Sequence, residues 1–186
     1  MNQQMSKQIE EKSTWIDDVK KLLDKDAIKE LVYQWDYLTD ERIGSDEVID
    51  SSCTEDVIYD AGPLGRTEGK EAFKEAAREI WNKELHFTRH MRHNPIIKVN
   101  GDEATGKWYA DIPSITGDGK AVWILGTYNL GFRRINGNWK ISKYTFEFAY
   151  MTDFDKGWVK EPFIEGVPVI EGVPGELNWK SDGVGK

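Results

Sequence analysis

The sequence predicts an α+β fold in which a curved, mostly antiparallel sheet wraps over helices and leaves a pocket inside. Three observations predict it. Apolar residues recur at three- and four-residue spacing through the first eighty residues. From residue 87 the spacing changes to two. The two-spaced runs are joined by hairpin turn chemistry. A meander of this kind buries one face against the helices and must curl to do so.

Taken in order, residues 1–13 are polar and read as an N-terminal extension. Thr14-Trp15-Ile16-Asp17 fits a capping pattern, with Thr14 as cap, and a stronger helix is expected to open at Asp26. Ile28, Leu31, Val32, Trp35 and Leu38 form one apolar stripe, ending between Asp40 and Gly44. Ser45 is placed to cap a short helix leading to Cys53. Val57 to Asp60 reads as a short strand. Thr67 or Glu68 then begins a helix that turns Ala72, Phe73, Ala76, Ala77, Ile80 and Trp81 inward. Four long strands follow, at 87–99, 105–115, 121–135 and 138–151. Their turns are Asn100-Gly101, Gly117-Asp118-Gly119 and Asn136-Gly137. The domain is set at 14–155. Residues 156–186 are a Gly- and Pro-containing tail, with Ile-Glu-Gly-Val-Pro at 164–168 and again at 170–174, expected to lie over its own domain or a neighbour's.

Composition narrows the function classes. The chain of 186 residues is long enough for one domain with a real core. Mean hydropathy is -0.63, and no apolar run approaches the ~18 residues of a membrane span. The N-terminus lacks the apolar core of a secretory signal, and Cys53 is the only cysteine, so a cytoplasmic setting without disulfides is expected. A net charge of -8 argues against nucleic acid, whose phosphates it would repel. Eight Trp, seven Tyr and seven Phe point to a large core or to an apolar cavity for a flat organic ligand.

The stretch from Phe87 to Val99 carries the chemistry. His86, His90 and His93 lie within eight residues, and histidine is the side chain that titrates near neutrality. Alternation sets Thr88, His90 and Arg92 on one face and Phe87, Arg89, Met91 and His93 on the other. In the next strand Trp108, Ala110, Ile112 and Ser114 oppose Lys107, Tyr109 and Asp111. The first set is the more apolar and is expected inside, so the polar groups reaching the pocket are His90, Ser114, Tyr59 and Asp40. A carboxylate fixes a buried histidine's tautomer best; Asp40 is the expected partner and Asp36, one turn earlier, the reserve. A metal site of His86, His90 and His93 would need one continuous helix over residues 70–93, whereas the pattern from Arg89 onward is that of a strand.

These residues also carry a resemblance. Lys29-Glu30-Leu31 with the terminal Asp40, then Asp56-Val57-Ile58-Tyr59, Thr88-Arg89-His90-Met91-Arg92-His93-Asn94-Pro95, Ala104 to Tyr109, and Phe132 to Lys140 together resemble the SnoaL-like branch of the NTF2-like superfamily. The bile acid 7α-dehydratases are nearest, with scytalone dehydratase and hexachlorocyclohexane dehydrochlorinase more distant. The likeness implies an α+β cone, with His90 as catalytic histidine, Asp40 as its carboxylate and Tyr59 as donor to a substrate oxygen. Trp35, flanked by Tyr33 and Tyr37, stands where the bile acid enzymes have a second tyrosine. Ile112, beside Asp111, stands where they have an aspartate, and Ser114 where scytalone dehydratase has a second histidine. Trp35, Tyr33, Trp108, Ile112, Ser114 and Asp111 are therefore expected to line the substrate site, Asp111 being more readily a solvated charge. The implied activity is elimination of water from a cyclic or polycyclic hydroxylated carbonyl compound, without metal or organic cofactor. Isomerisation or cyclisation by the same base and a non-catalytic binding module are the alternatives. An apolar outer sheet face, with Tyr109, Met91, Tyr144, Phe146 and Phe148, suggests a homo-oligomer, trimeric by resemblance or else dimeric.

Overall fold

Nothing between Asn2 and Asp40 is glycine or proline, and the chain runs through this stretch as one 39-residue helix, α1. The cap expected at Thr14 and the fresh start at Asp26 are thereby corrected: acceptable cap residues do not end a helix that no breaker interrupts. The computed structural model describes residues 2–62, 65–80 and 85–164, and the side chains of α1 from residue 15 onward. Ile28, Val32 and Trp35 of the stripe are buried, whereas residues 15–23 are exposed all round.

Helix α2 (Ser45–Ser52) follows, entered from Gly44 rather than capped by the Ser45 side chain. Strand β1 (Cys53–Asp60) is longer than the sequence pattern suggested. Residues expected to open the next helix instead form β2 (Arg66–Glu68), a short strand pairing Thr67 with Tyr59. Gly69, at φ 89°, then turns the chain into α3 (Lys70–Glu79), which buries Phe73 and Ala77 and leaves Ala72 exposed. Trp81 and the repeat beyond Ile164 lie outside the described residues.

The remaining strands are β3 (Leu85–Thr88), β4 (Met91–Asn100), β5 (Glu103–Thr116), β6 (Ala121–Ile135) and β7 (Asn138–Asp153). The described residues form a seven-stranded sheet in the order β2-β1-β7-β6-β5-β3, with β4 also on β5. Among the described strand pairings β1 on β7 is parallel and the others are antiparallel, with one further isolated parallel bridge from Met151 to Phe163. The described residues make the expected α+β cone, a curled half-barrel sheet over three helices. Among the described residues no helix is long and apolar enough to cross a membrane.

Two bulges in β7 decide which side chains look inward. Pairing with β6 passes from Phe132–Ile141 to Gly131–Lys143, skipping Ser142, and from Gly126–Phe148 to Leu125–Tyr150, skipping Ala149. Each extra residue reverses the alternation. Trp139 and Ile141 point in; beyond Ser142 it is Tyr144, Phe146 and Phe148 that are buried, at 6%, 5% and 7% exposure. The expectation that these three sit on the outer face is thus corrected. Met91, Ile96 and Tyr109 do remain exposed there. Residues after Asp153 fold back on the sheet. Trp158 stacks on Tyr150 with centroids 5.1 Å apart, and Ile164 N donates to Met151 O at 2.8 Å.

Gly126 makes room for this arrangement. A Cβ there would strike the Glu147 carbonyl and the Phe146 ring. Gly126→Ala is expected to cost about 1–3 kcal/mol, the usual range for overpacking. For a chain this size that is a fall in Tm of about 2–4 °C per kcal/mol, read by thermal melting.

Candidate active site

The site begins at the C-terminal end of α1. Ile43 N bonds to Leu38 O and Arg42 N to Thr39 O, the paired pattern of a Schellman close, with Arg42 at φ 57° in the position that usually takes glycine. A left-handed non-glycine residue costs about 1–2 kcal/mol, so its side chain must return something. Arg42 Nη1 donates to Thr39 O at 3.1 Å and to Thr88 Oγ1 at 3.2 Å, and Nη2 donates to Leu85 O at 2.8 Å. This guanidinium ties the helix end to β3.

Asp40, the last residue of α1, then faces the gap between β3 and β4. The two strands keep one register on β5, Thr88 opposite Ser114 and Met91 opposite Asp111, yet the ladder is interrupted at Arg89–His90. The cause is Pro113, which faces Arg89 across the ladder and has no N–H to return: Arg89 N donates to Pro113 O at 3.1 Å, and the His90 amide, next in the alternation, points away from β5 toward Asp40. His90 N donates to Asp40 Oδ2 at 2.7 Å, Thr88 Oγ1 donates to Asp40 Oδ1 at 2.8 Å, and His90 Nδ1 lies 2.7 Å from Asp40 Oδ1. Burial would raise the Asp40 carboxyl, but the hydrogen bonds and charge of His90, with Thr88, outweigh it and hold the carboxyl below its ordinary value. An ionised carboxylate only accepts, so Nδ1 carries the hydrogen, and in the neutral ring the lone pair is on Nε2. The His90 side chain is 13% exposed.

His90 stands between two spaces. Inward is an apolar cavity of about 70 Å³, whose wall includes Trp35, Tyr59, Phe73, Ile112, Tyr128 and Tyr144. Outward is a polar cleft of about 440 Å³ bordered by Tyr33, Tyr37, Asp36, Arg89 and Arg92. The wall is a chain of rings: Tyr59 stacks on Phe73 at 4.4 Å, and Trp35 lies 5.9 Å from Phe73 and 5.4 Å from Tyr144. Burial pushes the Tyr59 phenol well above its ordinary value, so it is a neutral donor.

The fold brings His90, Asp40, Tyr59, Trp35 and Ile112 together as the sequence suggested. Four other expected site residues stand elsewhere. Tyr33 is 42% exposed in the outer cleft, because it lies on the solvent side of α1. Trp108 is fully buried and packs edge-on against Phe132, deeper than the cavity. Ser114 turns its hydroxyl back to Ile112 O at 3.2 Å. Asp111 is on the outer face and accepts the Trp123 indole N–H. His86 and His93 are exposed on β3 and β4, so the continuous helix that a metal site needed is not formed. Among the described residues no three or more His, Cys, Asp or Glu gather as metal ligands.

Several functional side chains were missed or only half seen. Thr39 and Arg42 line the cavity. Arg92 was placed inward by alternation without a partner, and the partner is Asp36: Nε and Nη2 donate to Asp36 Oδ1 at 2.9 and 2.7 Å, and Nη2 to the Tyr144 hydroxyl at 2.9 Å. Burial alone would lower the Arg92 value, but Asp36 and the tyrosines outweigh it and the guanidinium stays charged. Burial raises the Asp36 carboxyl against the pull of Arg92. The i, i+4 spacing of Asp36 and Asp40 was the available signal, since it aims both carboxylates at the same strand.

The comparisons with known proteins agree with the fold. Residues 20–145 match the SnoaL-like domain. A candidate aromatic ring hydroxylase from Novosphingobium aromaticivorans superposes with a TM-score of 0.65 at 25% identity, covering 71% of this chain and 94% of that one. A candidate scytalone dehydratase from the same organism gives 0.65 at 20% identity, covering 72% and 89%. A type 2 hexachlorocyclohexane dehydrochlorinase gives 0.68 at 22% identity, covering 74% and 93%. No curated protein matches the chain.

The Asp40 contacts carry a pH signature. A carboxyl depressed in the folded chain contributes stability that is complete above its unfolded value, about 3.9, and is lost as pH falls through the lower folded value. The Tm gap between wild type and Asp40→Asn should therefore be widest near neutrality and close below about pH 4. A gap independent of pH would show that the charge of Asp40 contributes nothing. The match over residues 20–145, joined to the cone fold, places this chain in the SnoaL-like domain family.

Proposed function

We propose that this protein is a lyase of the dehydratase type, which removes a carbon-bound proton with His90 and expels water from a small hydroxylated carbonyl compound. The observation that carries the reading is the 2.7 Å contact of His90 Nδ1 with Asp40 Oδ1 on the wall of an apolar cavity. With Nδ1 engaged, Nε2 is the base. It takes the proton next to a carbonyl, charge passes to the carbonyl oxygen, and a phenolic donor on the wall, Tyr59 among them, meets that oxygen. The C=C bond then forms as the β-hydroxyl leaves, protonated by the imidazolium. This acid–base sequence calls on no metal or organic cofactor. The likeness to a candidate dehydratase and to a dehydrochlorinase supports a lyase or isomerase role for the fold, and the base is this chain's own.

The cavity volume favours a substrate smaller than a polycycle. About 70 Å³ is small beside the roughly 300–1,000 Å³ of ordinary ligand pockets and suits a single ring better than a fused system.

The test uses 3-hydroxycyclohexanone, whose dehydration gives a conjugated enone followed by ultraviolet absorbance, alongside deuterium uptake at its α-carbon from heavy water. Wild type should catalyse both. His90→Ala, melting like wild type, should lose about 10²–10⁴-fold. Deuterium uptake without enone would favour an isomerase with the same base. An undiminished rate in His90→Ala would dismiss His90 as the base.

A further inference from the structure

Among the hydroxyl-bearing side chains on the cavity wall, Tyr144 stands apart because its oxygen accepts a hydrogen bond from a buried cation. Arg92 Nη2 reaches it at 2.9 Å, and the Arg92 side chain is only 1% exposed. The guanidinium lies 3.6 Å from the Tyr128 ring centroid and is anchored on Asp36. A cation on one lone pair of a phenol strengthens that phenol's own O–H as a donor. The Tyr144 and Tyr128 rings are 5.2 Å apart and both line the cavity. With its oxygen accepting from Arg92, the Tyr144 hydroxyl keeps its own hydrogen to donate at the wall. A second observation points to a ligand. The hydroxyl of Thr39, a residue 3% exposed on the same wall, has no hydrogen-bond partner, an arrangement that costs about 1–3 kcal/mol until a ligand or a water supplies one.

We propose that the Tyr144–Tyr128 pair, backed by Arg92 and Asp36, is an oxyanion site for a single-ring substrate, binding the enolate or phenolate oxygen that such a ring presents. Its place in catalysis rests on His90 being the base; its ligand preference does not. Asp36 and Asp40 are four residues apart, so the two anchoring carboxylates are about one helical turn from each other, roughly 6 Å along the axis. His90 and the two tyrosines line the same cavity, so a carbonyl oxygen and the C–H beside it can face the donor and the base together. As the C–H bond breaks, the proton goes to His90 Nε2 and the electron pair moves onto oxygen, where the phenolic hydrogen meets it. When the pair returns to form C=C, the C–OH bond breaks and the hydroxyl leaves with the His90 proton as water. Tyr59 lies face to face on Phe73, and among the described residues no guanidinium hydrogen-bonds to it, so it is the weaker donor of the wall.

p-Nitrophenol tests this directly, because its phenol and phenolate forms differ in colour and it needs no turnover. Titrated with wild-type protein, the bound probe should show phenolate preferred over phenol by tenfold or more. Tyr144→Phe and Tyr128→Phe should each erase most of that preference while binding the neutral phenol nearly as well. His90→Asn, which has no base, should keep the preference, separating this proposal from the assignment of the base. The proposal is overturned if wild type does not bind the probe or binds both forms equally. It is also overturned if His90→Asn alone abolishes the preference, or if both Phe variants, melting like wild type, retain it. Should a Phe variant fail to fold, the preference in wild type and His90→Asn decides.

Discussion

A single carboxylate organises the site. Asp40 accepts from the His90 backbone, the His90 ring and the Thr88 hydroxyl, and so joins the end of a helix to the middle of a sheet. The His90 amide is available to it because it points away from β5, at the place where Pro113, with no N–H to give, interrupts the ladder. Placing an acid at a helix C-terminus is unfavourable against the macrodipole by a few tenths of a kcal/mol to about 1 kcal/mol. Three hydrogen bonds to a charged acceptor, each worth about 1.5–3 kcal/mol, are ample compensation.

A turn below, the same helix repeats the device with an arginine in place of the histidine. Asp36 receives Arg92, which is deeper, closed off by the Tyr128 ring, and held as a cation. A buried ion pair is seldom a net gain in stability, because desolvation offsets most of the attraction. It is better understood here as fixing register: Arg92 tells β4 which helical turn to sit against and sets the Tyr144 hydroxyl at the cavity wall. The left-handed Arg42 belongs to the same economy of position over stability, since its strain is met by three hydrogen bonds that lock the helix end to β3 and Thr88.

The cavity itself exists because β7 is irregular. Without the extra residues at Ser142 and Ala149, Tyr144, Phe146 and Phe148 would face outward and the interior would lose three of its rings. Gly126 then clears the space into which Phe146 leans. Packing, not propensity, shapes the pocket. Its small volume and apolar wall exclude most water, which strengthens every charge and dipole left inside.

Local rules were sufficient for a large part of this. Period-two runs with Asn-Gly turns gave β4 to β7, the stripe from Ile28 to Leu38 gave the buried face of α1, and alternation put Thr88, His90 and Arg92 together on the inner side. Asp40 as the partner of His90 was legible because it ends the one strong helix with a carboxylate. What local rules could not carry was anything that depends on counting across a bulge or choosing between acceptors. The parity of β7, the pairing of Arg92 with Asp36, the outward position of Asp111 and the recruitment of Arg42 all depend on elements remote in sequence. In each, a side chain's neighbour is fixed by how the sheet curls over the helix, which no short window of residues contains. The sequence by itself determined the long antiparallel meander, the buried face of α1 and Asp40 as the carboxylate nearest His90; the tertiary structure decided which hydroxyls and which cation share the cavity with them, because burial and register are properties of the whole sheet.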